Sequence, residues 1–229
     1  MTIMAGGKKT PIVLEKYYND DDILEIGVDE AGRGPMLGRV YSAAVILPKT
    51  DDFHHHLMKD SKKFTSHKKI TEAANYIKEN AIAWSVAYST EKEIDSINIL
   101  QATYKAMHSA IRNLDGLDIN NFKSYHLLVD GSNFKRYTQY SDMKGIANIS
   151  HTCITGGDNK YSSIAAASIL AKTERDLYIE SLCLENPTLD ENYSILKNKG
   201  YGTKAHIDGI NAHGITEFHR KSFGICRNF

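Results

Sequence analysis

Five apolar runs of strand length, separated by stretches with helical spacing, constrain most tightly what this chain can fold into. They are Ile23–Val28, Arg39–Pro48, Ala81–Ser89, Ser124–Gly131 and Ala147–Gly157, and their β-branched and aromatic content suits strands. Between the second and third, Ile70, Ala73, Ala74 and Ile77 recur at helical spacing behind Ser66 as an N-cap. Thr90 and Glu93 form a capping-box pattern that opens an amphipathic helix reaching about Asn113. After the fifth run, "YSSIAAASILAKTERDLYIESLCLE" reads as a long helix whose alanine and serine half is small enough to pack closely on a sheet. The order β, β, helix, β, helix, β, β, helix predicts an α/β fold, a mixed five-stranded sheet flanked by helices.

A length of 229 residues accommodates one large domain with a small appendage. Residues 1–20, with Gly6, Gly7, Lys8 and Lys9, suggest a loose arm; 21–186 are expected to form the α/β core; 187–229, rich in Lys, Arg and His, are expected to form a small helical C-terminal cap on the same structural unit. Lys plus Arg equal Asp plus Glu at 28 each, so any surface for a polyanion must come from local asymmetry of charge. Cys153, Cys183 and Cys226 are odd in number, far apart and without a C-x-x-C pair, which argues against a disulfide framework or zinc knuckle and for a reducing compartment. No apolar run approaches the ~18 residues of a membrane span, and the first twenty residues lack the apolar core of a secretory signal. A cytoplasmic location is expected, or a nuclear one if the host has a nucleus, with no membrane partner.

Acidic residues fall where strands of an open α/β sheet deliver functional side chains. Asp29 and Glu30 close the first run, Asp130 closes "HLLVD", and Asp158 in "GGDNKY" lies between the fifth run and the long helix. An aspartate ending an apolar strand is costly unless it is paired or holds a metal. Four carboxylates gathered together repel one another, and hard oxygen donors select Mg²⁺ or Mn²⁺ over zinc. Two such ions, ~3.5 to 4 Å apart, hydrolyse phosphodiesters in other sites of this kind. Singly, each acid has a plainer reading: Asp130 before Gly131 suits a turn, and Asp158 suits a helix cap. Adjacent strand residues face opposite sides, so Asp29 and Glu30 share a site only if the strand bends at Gly32 and Gly34. Asp176 is a rival acid. It lies about fifteen residues into the long helix, roughly 22 Å from its start at ~1.5 Å per residue, so it and Asp158 are not expected to serve one metal site. A surface ion pair beside Arg175 is the expected role of Asp176.

With these residues assembled, the chain resembles the type 2 ribonuclease H family, ribonuclease HII. The resemblance rests on "GVDEAGRGPMLG", "DSKKF", "LLVDG", "GGDNKYSSIAAASILAKTERD", "GYGT" and "HRKSF", which together span most of the chain. It implies an RNase H-like fold and a divalent-metal endonuclease that cleaves 5′ of ribonucleotides in RNA/DNA hybrids or DNA duplexes, leaving 3′-hydroxyl and 5′-phosphate ends. It places the metal-binding and catalytic carboxylates on Asp29, Glu30, Asp130 and Asp158. It also implies that Gly32, Arg33 and Gly34 contact the ribose 2′-hydroxyl and the scissile phosphate, that Tyr201 packs near the same ribose, and that Lys62 lies near backbone phosphates. Glycines let a backbone approach a sugar, and the 2′-hydroxyl separates RNA from DNA.

Arg39 stands where members of the family often carry proline, and His54, His55 and His56 form a run that reads as a solvated loop. The chain stops soon after "HRKSFGICRNF" without a glutamine followed by paired aromatics, the sliding-clamp peptide of many nucleic-acid enzymes, so a monomer without obligate subunits is expected. Two other functions are weighed. A non-catalytic hybrid-binding module is disfavoured by the full set of acids. A dinucleotide-binding oxidoreductase fails because Leu37 breaks the G-x-G-x-x-G spacing. Ribonucleotide excision and primer removal suit the motifs equally.

Overall fold

The computed structural model describes residues 13–142 and 145–229. Strand β1 (Leu24–Ala31) is the middle of a five-stranded mixed sheet ordered β3-β2-β1-β4-β7. It pairs antiparallel with β2 (Val40–Ile46) and parallel with β4 (Tyr125–Asp130). The edges are β3 (Ala83–Ser89), antiparallel to β2, and β7 (Ser150–Ile154), parallel to β4. Alternation along β2 sorts the core. Ala43 and Val45 face α1 (His67–Asn80) and α3 (Ser162–Glu185), whereas Ala44 and Ile46 face α2 (Glu91–Arg112). Gly27 is what lets α3 lie so close to β1: a Cβ there would stand 2.1 Å from the Ser163 carbonyl carbon.

The expected caps form. The Ser66 side chain accepts from the Lys69 N–H, and Thr90 with Glu93 makes a capping box, closed in both directions. The second helix differs in one respect. Asn98 adopts φ 65° and breaks α2, and its side chain accepts from the Gln101 N–H to cap the second segment. The run expected as one fifth strand is two: β6 (Gly145–Asn148) pairs with β5 (Thr138–Ser141) in a separate hairpin, and beyond Ile149 the chain joins the main sheet as β7. Within the stretch expected as a loose arm, Leu14 is buried in the core and residues 15–19 are tied to the body of the protein. Glu15 bridges Tyr161 and accepts the Ser162 N–H at the start of α3, and Tyr18 stacks on His126. Residues 1–12 lie outside the described residues. The histidine run is not wholly solvated either: His55 is buried edge-on to Phe53, while His54 stacks on Tyr76.

Residues 187–229 fold over the second half of α3 as three short helices, α4 (Thr188–Tyr193), α5 (Ile195–Asn198) and α6 (Lys204–His213), followed by a 3-10 turn. Their core joins Leu189, Tyr193, Ile195 and Ile210 to Ile179 and Leu182 of α3, and takes in Met36 and Leu37 from the β1–β2 loop. Among the described residues no helix is long and apolar enough to cross a membrane.

Candidate active site

The parallel ladder between β1 and β4 ends at Val28 and Val129, yet β1 continues against β2 through Asp29 and Glu30 to Ala31. The acids therefore do not close the strand, as expected, but lie on a part of it that has parted from β4. The crevice opened there is the usual ligand position in α/β sheets, outside the carboxyl ends of parallel strands. Asp130, the last residue of β4, sits across it, and its Oδ1 accepts the Gly157 N–H at 2.7 Å, which draws the turn bearing Asp158 to the same place. A cleft of about 440 Å³ results, lined by all four carboxylates and by Gly32, Arg33, Gly34, Lys62 and Tyr201. The structure thus brings every site residue expected from the sequence into one cavity.

Its electrostatics are those of a crowded acid cluster that the neighbouring cations Arg33 and Lys62 offset only in part. Asp29 is held well above the usual carboxylate range by burial and then by the charges of Glu30 and Asp130, against hydrogen bonds from Ser168 and the Glu30 N–H. Burial also raises Glu30, opposed by Arg33, whose Nη1 donates to Oε1 at 3.4 Å, and by Lys62. Asp158 is raised by burial and by Asp60 and Asp130, with the Asn159 amide and Lys62 pulling it back. Among the described residues no three such side chains stand ready to hold a metal ion as oriented, since Asp130 is turned onto Gly157 and Glu30 towards Arg33. The donor chemistry nonetheless fits a hard divalent cation: the donors are carboxylate oxygens, and burial with mutual repulsion disfavours their charge until positive charge arrives.

The helix α3 forms one wall. Ser168, Lys172, Arg175 and Asp176 line the cleft at i, i+4, i+7 and i+8, a single helical stripe. Asp176 is therefore not a surface residue. It is buried, pairs with Lys172 one turn back, keeps its Oδ1 without a hydrogen-bond partner, and faces the same cleft as Asp158. The 22 Å separation along the helix is no obstacle to this, because the axis runs along the cleft instead of away from it. Lys62 sits in a turn capped by Asp60, and Ser61 Oγ meets Ser168 Oγ at 3.1 Å, tying that turn to α3.

Two buried arginines that the sequence did not single out shape the glycine-arginine-glycine turn. Arg220 is fully buried and donates to the carbonyls of Gly32 (2.6 Å), Arg33 (3.1 Å), Pro35 (2.8 Å) and Gly38 (2.7 Å). Burial and the Arg175 charge push its guanidinium down to about 9, which leaves it cationic at neutral pH. Arg175 donates to the carbonyls of Leu37, Arg39 and Lys199, and packs so tightly on Gly32 that a Cβ there would lie 2.2 Å from its Nε; Gly32 also has φ +92°. Backbone bonds complete the seam, from Met36 N–H to Gly200 and from Gly38 N–H to Phe218. Tyr201, half exposed, faces Gly34, where an added Cβ would touch its ring at 3.4 Å.

Behind Tyr201 stands a buried histidine pair. The Thr216 N–H donates to His219 Nδ1 at 2.9 Å, so a neutral His219 carries its proton on Nε2. That N–H donates to His206 Nε2 at 3.1 Å, and His206 Nδ1–H in turn donates to the Tyr201 carbonyl at 3.0 Å. Burial, and for His219 also the neighbouring imidazole, pushes both rings down, His219 to about 4.

The family model described as Ribonuclease HII matches residues 26–226. The chain is 45% identical over 208 residues to the Ribonuclease HII of Phocaeicola vulgatus, covering 91% of this chain and 92% of that one. It is 47% identical over 206 residues to the Ribonuclease HII of Parabacteroides distasonis, covering 90% and 92%. Among solved structures, it is similar to ribonuclease H2 from Pyrococcus horikoshii OT3 (TM-score 0.63, 21% identity, 90% of this chain and 96% of that one). It is also similar to a chain of the PCNA:RNase HII complex from Archaeoglobus fulgidus (0.65, 22%, 88% and 96%) and to Bst-RNase HIII in complex with Mn²⁺ (0.56, 17%, 83% and 70%).

Proposed function

The chain belongs to the ribonuclease HII family, and is thus an endonuclease of the RNase H type; from that premise we propose that it cuts the phosphodiester 5′ of a ribonucleotide, in RNA/DNA hybrids and in DNA duplexes with embedded ribonucleotides, leaving a 3′-hydroxyl and a 5′-phosphate. The observation that carries this reading is the meeting, in one cleft, of four carboxylates with a turn whose backbone is held open towards them.

Asp29, Glu30, Asp130 and Asp158 would hold two divalent ions, Mg²⁺ or Mn²⁺; the likeness to a fold solved with Mn²⁺ is consistent with that choice. When bound, such ions supply an activated water and stabilise the leaving oxygen. The chain's own part is positioning. Burial of Asp29 keeps bulk water from screening the cluster, and Ser168 orients its carboxylate. Arg33 and Lys62 place positive charge beside Glu30 where a phosphate would sit. Gly32 to Gly34 read the 2′-hydroxyl through a backbone that Arg220 fixes, and the half-exposed ring of Tyr201 packs against that ribose. All of these residues come from one chain, which supports a monomer built as a core over 21–186 and a substrate-contacting cap over 187–229.

The test is Asp130→Asn on a DNA duplex containing one ribonucleotide, with Mg²⁺ and Mn²⁺ in turn. Wild type is expected to nick 5′ of the ribonucleotide. The variant is expected to lose about 10²- to 10³-fold in rate, the scale of removing one group from a preorganised site, while still binding the duplex. Near-normal cleavage by the variant, or binding without nicking by wild type, would overturn the proposal.

A further inference from the structure

On the face of the sheet opposite α3, helix α2 and the loop after β4 enclose a second cleft of about 410 Å³. Lys105, Arg112 and Lys135 line it, with His108, Tyr104 and Gln101, and among the described residues no carboxylate lines it. In a chain whose acidic and basic residues cancel at 28 each, this is the local asymmetry of charge that a polyanion requires. Lys105 is already paired with Glu93. Arg112 makes only a 3.3 Å bond to the Ser109 hydroxyl, and Lys135 has no ion pair among the described residues, so two exposed positive charges stand uncommitted. Their support is firm: His108 Nε2 bonds the Lys135 carbonyl at 2.6 Å, and Phe134 packs edge-on to both Tyr104 and His108.

The cleft is also close to the main one. Lys135 follows Asp130 by five residues, so the chain between them spans at most ~17 Å. With a lysine side chain of about 6 Å added, its ammonium lies within ~23 Å of Asp130, on the order of seven base pairs at 3.4 Å per step. The cations are exposed and no buried polar side chain aims into the cleft, which suits a continuous phosphate backbone better than a small molecule needing selection.

We propose that this second cleft anchors the sugar-phosphate backbone of the duplex being cut, through Lys135 and Arg112, within about seven base pairs of the scissile bond. The proposal rests on the nuclease reading above and adds a contact outside the main cleft.

The test measures binding in EDTA to a 24-base-pair duplex with one central ribonucleotide, its phosphates neutralised one at a time as methylphosphonates. Wild type, Lys135→Ala, Arg112→Ala and the control Lys68→Ala, an exposed lysine of α1, are compared. At least one neutralised phosphate within seven base pairs of the ribonucleotide is expected to weaken wild type and control roughly five- to tenfold near 0.1 M salt, yet leave Lys135→Ala or Arg112→Ala unaffected. For the same variant on the unmodified duplex, the slope of log Kd against log salt is expected to fall by about 0.9 per lost contact. If every neutralisation weakens all four proteins equally, the proposal is overturned. A wild type that binds but does not nick when Mg²⁺ is added overturns the nuclease reading, while the phosphate map still decides this one. A wild type that binds no duplex overturns both.

Discussion

Arg220 places one guanidinium against four carbonyls of a single turn, and the other buried arginine there, Arg175, is committed to the carbonyls of Leu37, Arg39 and Lys199. Arg220→Met should leave those oxygens without a donor. At about 1–3 kcal/mol for each buried polar group left unpaired, with partial relaxation, a loss on the order of 4 kcal/mol is expected in urea unfolding, and Arg220→Lys should fall between. The variant should also discriminate less well between ribose and deoxyribose at the cut. The difference in legibility between Arg220 and the acids is physical. Asp130 alone also suited a turn, but acids at three strand ends pointed to one cluster, and the four do line one cleft. The partners of Arg220 are main-chain oxygens 182 to 188 positions away, and main-chain oxygens leave no mark in a sequence. Asp176 was misplaced for a related reason: periodicity gives the length of α3 but not the direction of its axis relative to the cleft.

At the scale of elements, local signals were the most legible. Ser66 and the Thr90–Glu93 box cap the helices they were expected to cap, and Thr90→Ala should cost about 1 kcal/mol, readable as a shift in urea midpoint without a change in slope. The hairpin was not legible, because "TQYS" is short, polar and without alternation. Nor was the break at Asn98, which a helical pattern tolerates on either side. Packing distances are harder still to read. Gly27→Ala places its methyl on a Ser163 backbone carbonyl that no rotamer change can move, so a cost of about 3 kcal/mol or more is expected in the same assay.

For the molecule as a whole, a histidine buried in the cap, on the stretch whose backbone bridges Leu37 of the core, should make stability depend on pH. His219 is surrounded by His206, Thr216 and the ring of Tyr193, with no carboxylate among its hydrogen-bond partners. Its folded pKa of about 4 lies below the ordinary value of about 6.5, so the unfolded chain takes up a proton first as pH falls. The stabilisation is therefore complete above pH ~6.5 and declines towards pH ~4, by about 3 kcal/mol. Urea unfolding from pH 7.5 to 4 should show this slope, and His219→Gln should flatten it. The same seam has a consequence in time. A ribosome releases residues in order, so Asp29, Glu30, Asp130 and Asp158 all exist before Arg220 is joined to the chain. A nascent polypeptide therefore carries these four acids while the turn from Gly32 to Gly38 still lacks the guanidinium that clasps it, and on the nuclease reading proposed above its choice between bonds is complete only once Arg220 has been made.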